Sequence, residues 1–288
     1  NTTQFSLPAV TKEITQDAKA FYDFAGNANN QANYSDKGVV YGGTFTADRF
    51  GRADSAYNFD GVNDYIDLPL TDLNNTTGAI SLWFKITANA NKESILFSIS
   101  NDDTANYCEF TIGIDQRSGV TSEDIYAFVT TNNNGWIIQV PNSQFNSRTL
   151  NVWNNLVVVQ DGNTPKMYLN GIQVGNLSSS AGWNDPKKWW ADLFTSKNPT
   201  DAVDVAQIGK LRRYQNSEIG VFGGSIDDVK IYDRPLTNSE IKLLYNQVLP
   251  QNPKASYNFS GNTNDLSMNN QFGIITGENV RVGVNTSI

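Results

Sequence analysis

From Ala18 to Tyr232 the chain keeps one rhythm: a short apolar stretch rich in Val, Ile, Phe, Tyr or Trp, then a cluster of Asn, Asp, Gly, Ser or Thr. "KAFYDF", "GVVYGG", "SAYNFDG", "DYIDLP", "AISLWFKI", "ESILFSIS", "YCEFTIGI", "DIYAFVT", "GWIIQV", "WNNLVVVQ", "KMYLNG", "AQIGKL" and "GGSIDDVKIY" are all long enough for one strand, and the clusters between them supply turns. Many short strands at close spacing predict an all-β chain, a sandwich or a barrel.

Local detail agrees. In "VVVQDGNTPKMYLNGIQVG" two apolar segments flank a "DGNT" turn and "NG" at Asn170 and Gly171 marks a second, which predicts a three-stranded meander. One short C-terminal helix is expected in "LTNSEIKLLYNQVL". There Thr237 and Glu240 have capping-box spacing, and Ile241, Leu244, Tyr245 and Val248 share a face. Cys108, the single cysteine, sits in a strand-like context and reads as a small core residue.

The phrase "AKAFYDFAGNANN" from Ala18 returns as "PKASYNFSGNTND" from Pro253, with seven identities in thirteen positions at an offset of 235 residues. That offset is the size of a domain, and the residues after the second copy are too few for another core of that size. The expected organisation is a lead-in over 1–17, a β domain over 18–249, and over 250–288 the start of a second, truncated module or a linker to a fibre region.

Composition narrows the function. The chain has no histidine, which removes Ser-His-Asp and Cys-His catalysis, histidine-ligated zinc and imidazole acid/base chemistry. A formal net charge of −8 argues against nucleic acid and anionic membranes as partners, and no apolar run reaches the length of a membrane span. Carboxylate chemistry and the binding of cations or neutral sugars are what remain.

Taken in order, "FYDFAGNANN", "DRFGRADSAYNFDGVNDYIDLP", "ISLWFKI", "VWNNLVVVQDGNTPKMYLNGIQVG" and "GGSIDDVKIYDRPLTNSEIKLLY" resemble the laminin G-like modules of the concanavalin A-like lectin/glucanase superfamily, in the version common in bacterial secreted proteins. The resemblance implies a two-sheet antiparallel jelly-roll sandwich with a concave face where relatives bind glycans. It also implies a structural calcium: Asp227 matches a last-strand Asp that holds calcium in many relatives, with carbonyls near Asp23 and Gly61 completing the site. Glucanases of this fold carry an E-x-D-x-E-like run on one strand, and this sequence has none, so the module is expected to be non-catalytic. A glycoside hydrolase is the third reading. Tyr22, Phe24, Phe59, Trp83, Phe84 and Trp153 are expected on the inner face as packing, with Gly61 allowing a turn.

Sugar sites combine flat aromatic rings with Asn, Asp and Gln. The long polar stretch "SSSAGWNDPKKWWADLFTSKNPTDAVD" brings Trp183, Trp189 and Trp190 together, and "TTNNNGWIIQV" adds Trp136. These four are the candidate ligand-binding residues. The closing "ENVRVGVNTSI" resembles segments of bacterial surface proteins and phage tail fibres that precede self-assembling regions. The expectation is an extracellular carbohydrate-binding or adhesion module, on a cell or virion surface, whose partners are a glycan or polysaccharide and other domains or chains of a larger assembly. The alternative is a structural module of a tail fibre or a multi-domain surface protein.

Overall fold

The computed structural model describes residues 17–33, 36–69, 73, 75–87, 92–100, 108–117, 123–131, 134–141, 143–145, 150–178, 184–194, 205–213 and 217–246. The recurrent phrase at Tyr257 and all of the expected lead-in except Asp17 lie outside the described residues.

In chain order the strands are β1 (Ala20–Tyr22), β2 (Val39–Tyr41), β3 (Thr44–Thr46), β4 (Ala56–Asp60), β5 (Tyr65–Leu68), β6 (Gly78–Ile86), β7 (Glu93–Ser100), β8 (Cys108–Asp115) and β9 (Glu123–Thr131). They continue as β10 (Asn134–Pro141), β11 (Trp153–Gln160), β12 (Pro165–Leu169), β13 (Ile172–Val174), β14 (Asn176–Leu177), β15 (Val205–Ile208), β16 (Leu211–Arg213), β17 (Ser217–Ile219) and β18 (Gly223–Tyr232). Helix α1 (Trp190–Phe194) lies between β14 and β15, and α2 (Asn238–Tyr245) follows β18.

Two eight-stranded antiparallel sheets form the body. The first runs β13-β12-β11-β6-β18-β4-β3, with β1 also on β18; the second runs β14-β10-β9-β8-β7-β15-β5-β2. The expected meander is β11-β12-β13, and its second turn has Asn170 at φ 51° and Gly171 at φ 76°, the left-handed pair that a tight hairpin requires. Distant strands meet elsewhere: β6 lies between β11 and β18, and β15 between β5 and β7. Those crossings make a jelly-roll sandwich rather than a simple meander.

Each sheet gives one face to the core. Phe84, Leu156, Val158 and Ile226 come from the first, and Phe97, Phe110, Cys108, Ile112, Val129 and Ile138 from the second. Tyr22, Phe24 and Phe59 join them, as the sequence suggests. Trp83 and Trp153 do not, which corrects their assignment to the inner face. Phe84 points inward, so strand alternation turns Trp83 outward, where it stacks on Tyr245 of α2 at 6.0 Å. Trp153, paired with Lys85 across β6, carries the Lys85 ammonium over its ring.

Helix α2 closes the outer face of the first sheet, burying Ile241 and Leu244 against Ala79, Val157, Val159, Tyr168 and Tyr232. Its capping box is formed, with the Glu240 amide donating to Thr237 Oγ1 and the Thr237 amide to the Glu240 carboxylate. The short α1, which no sequence pattern announces, lies inside the tryptophan-rich loop.

Candidate functional site

Trp136, Trp189 and Trp190 prove to be core residues, each 0% exposed. Trp189 stacks on Trp190 at 4.7 Å and on Trp136 at 6.2 Å, and Phe110 meets both loop tryptophans edge-on. Polar bonds hold the loop down. The Trp136 indole donates to the Lys188 carbonyl at 2.7 Å, Gln160 donates to the carbonyls of Pro186 and Lys188, and Asp192 accepts from the Trp189 amide. The physical reason for the correction is that a long polar loop is ordered by burying its largest rings, and buried rings offer no face to a sugar. Trp183 lies outside the described residues.

The nominated calcium ligands are likewise engaged with the chain itself. Asp227 pairs with Arg49 at 3.0 Å, and the same guanidinium reaches Asp228 at 2.5 Å. The Lys92 ammonium donates to the Gly61 carbonyl, while Asp23 accepts from the Ala25 amide and the Gln31 side chain. A carboxylate holding a guanidinium and a carbonyl holding an ammonium do not fit a dication, which needs six to eight oxygens turned toward it. Among the described residues no three acidic or cysteine side chains gather in a way that could hold a metal. Burial, joined by the charge of Asp228, pushes the Asp227 carboxyl up to about 8. Burial also opposes ionisation of Asp228, but Lys230 and Arg49 outweigh it and hold that carboxyl below the usual range.

The outer face of the second sheet offers a different arrangement. Period-two alternation turns Val39 and Tyr41 of β2, Tyr65 and Asp67 of β5, Gln207 of β15 and Ser98 of β7 to the same side. The ladder sets Tyr41 opposite Tyr65, Asp67 opposite Gln207, and Gln207 opposite Ser98. Tyr41 and Tyr65 stack at 4.5 Å with planes 13° apart, and the Lys210 ammonium sits 3.9 Å from the Tyr65 ring centre. Tyr41 is the open end of this stack, 43% exposed on an edge strand, and Val39 beside it is 53% exposed.

Polar groups flank the rings. Gln207 Nε2 donates to Asp67 Oδ1 at 2.8 Å, while Gln207 Oε1 is buried with no hydrogen-bond partner among the described residues. Such an acceptor costs free energy unless a donor reaches it. Gly42 fixes the end of β2: its φ is +76°, and a Cβ there would overlap the Asp64 carboxylate. On the far side of this patch the chain turns back over the sheet, and Ser98 and Ser100 hydroxyls donate to the carbonyls of Lys210 and Arg212 in and before β16. Leu211 of β16 then packs on Ile95, Tyr126 and Phe128.

None of these residues stood out in the sequence. Alternation in "DYIDLP" does place Tyr65 and Asp67 on one face, but the contacts 41 to 65 and 67 to 207 join strands that are distant in the chain.

No curated protein sequence matches the chain. Its fold is shared with domain 4 of AbnA, an extracellular GH43 arabinanase of Geobacillus stearothermophilus solved with arabinotriose (TM-score 0.53, 15% identity, covering 79% of this chain and 98% of that one). It is shared too with the binding domain of botulinum neurotoxin serotype D (0.52, 14%, 84% of this chain and 54% of that). A third is the Trypanosoma rangeli sialidase solved with 2,3-difluorosialic acid (0.53, 14%, 83% and 35%). The chain thus spans about half of the neurotoxin domain and about a third of the sialidase. The profile of the laminin G-like family matches residues 60–242, more than half the chain and the stretch that holds both sheets' central strands. This chain belongs to the laminin G-like family of the concanavalin A-like lectin/glucanase superfamily.

Proposed function

We propose that the chain is a non-catalytic carbohydrate-binding module of an extracellular or surface protein, and that its sugar site is the outer face of the second sheet at Tyr41, Tyr65 and Asp67. The observation that carries this reading is the exposed end of the Tyr41–Tyr65 stack beside the Asp67 carboxylate, which Gln207 orients from beneath. A pyranose or furanose ring presents C–H groups on a flat face and hydroxyl donors at its rim. The first suit Tyr41, and the second suit the half-buried Asp67 carboxylate. The family and the arabinotriose-bound relative support the reading at the level of fold.

The carboxylates of β7 and β8 give catalysis little support. On β8, Glu109 and Asp115 are six residues apart, about 20 Å at strand rise, well beyond the ~5–9.5 Å that glycosidase pairs need. Glu93, opposite Asp115 across the ladder, accepts from the Tyr126 hydroxyl, and Asp115 is clamped by Arg117.

The test is a glycan array probed with the whole chain and with Tyr41→Ala. Binding to a set of glycans, weakened at least about tenfold (~1.4 kcal/mol) by Tyr41→Ala with the melting temperature unchanged, is the expected result. Binding that Tyr41→Ala leaves intact would move the site elsewhere. A folded protein silent across the array would favour the alternative, a structural module of a fibre or surface assembly.

A further inference from the structure

The last strand changes partners halfway along. Gly223–Ile226 of β18 pair with β4, Val229–Ile231 pair with β1, and the register against β6 shifts between Asp227 and Lys230. Asp228 at this break has φ 50°, a left-handed conformation that a non-glycine residue adopts only when its surroundings hold it. Two consecutive carboxyl groups are therefore buried at the seam where β4 and β1 diverge, and they need partners there.

That charge comes from the β3–β4 loop. The Asp48 carboxylate accepts from the amides of Phe50 and Arg52 and from the Arg52 guanidinium, which fixes the turn next to Arg49. Arg49 is held between two rings, its guanidinium carbon 4.2 Å from the centre of Phe50 and 4.5 Å from that of Trp83. From this slot it reaches both carboxylates. Lys230, buried with its ammonium 4.4 Å from the Phe21 ring centre, lies 3.4 Å from Asp228 Oδ1. Two carboxyl groups thus find their partners in Arg49 and Lys230 within the cluster itself. Only Asp227 Oδ1 among its carboxylate oxygens is left buried without a hydrogen-bond partner. One spare oxygen falls short of the six to eight that calcium takes, and the cationic groups beside it repel a dication.

We propose that the Arg49 guanidinium does here what a structural calcium would do: it bridges Asp227 and Asp228 and ties the β3–β4 loop to the last strand, so that folding requires no divalent metal. A single nitrogen, Nη1, reaches both carboxyl groups while the planar guanidinium lies against Phe50 and Trp83, a stacking that a lysine ammonium cannot reproduce.

The experiment is thermal unfolding of the full chain in excess EDTA and in millimolar calcium chloride, for the wild type, Arg49→Gln, Arg49→Lys and Asp227→Asn. The wild-type midpoint is expected to be the same with EDTA and with calcium. Arg49→Gln is expected to lower it by several degrees in both solutions, and Arg49→Lys to recover part of the loss. A wild-type midpoint that falls in EDTA, returns with calcium and loses this response in Asp227→Asn would overturn the proposal. So would an Arg49→Gln protein that melts like the wild type. If Arg49→Gln does not fold, the wild-type and Asp227→Asn measurements still decide.

Discussion

At the scale of single residues, the large aromatics part company according to what surrounds them. Trp189 follows the charged run Asp185–Lys188 and Tyr41 stands between valines and glycines, yet Trp189 is sealed by Trp136, Trp190 and Phe110 while Tyr41 ends a two-ring stack in solvent. Trp189→Ala is accordingly expected to cost about 3–5 kcal/mol of stability, as large-to-small core changes do. Denaturant unfolding checks it, and the protein that stays folded is expected to bind glycan as the wild type does. Asp227 supplies a prediction of a different kind. Faced by Arg49, Asp228, Lys230 and Asp48, it titrates near 8 in the folded chain and near 4 in an unfolded one. Between those values the native state holds a proton that the unfolded state has lost. The stability from this group is complete below about pH 4 and disappears as pH rises through about 8. The melting temperature is therefore expected to decline from about pH 5 to about pH 9, and Asp227→Asn to flatten that part of the profile. A slope that Asp227→Asn leaves unchanged would assign it to other groups.

Elements written in local sequence could be read directly. The α2 capping box, the Asn170–Gly171 turn and the β11-β12-β13 meander depend on residues within a few positions of one another, and all three are present in the structure. Thr237→Ala is expected to cost about 1 kcal/mol, seen as a lower urea midpoint with an unchanged slope. Elements whose meaning depends on distant partners could not be read in this way. "WW" at Trp189 and Trp190 reads as an exposed platform until β8 and β10 are folded beneath it. Asp227 reads as a metal ligand until the loop carrying Arg49, 178 residues earlier, is laid against it. The same long-range pairing builds the Tyr41 patch from β2, β5 and β15, and nothing near Tyr41 in the chain announces it.

For the molecule as a whole, the two faces left outside the core have different fates. That of the first sheet is closed by α2, whereas that of the second is covered along β7 by β16 and remains open toward the edge strand β2. An opening there, lined by tyrosine rings and the Asp67 carboxylate, suits a neutral sugar better than a phosphate, in keeping with a net charge of −8. The most direct measurement of this claim is hydroxyl-radical footprinting of the whole chain with and without a saturating oligosaccharide selected on the array. Protection concentrated at Tyr41 and Tyr65 is the predicted result. Unchanged labelling of both tyrosines, with protection elsewhere on the chain, would contradict it.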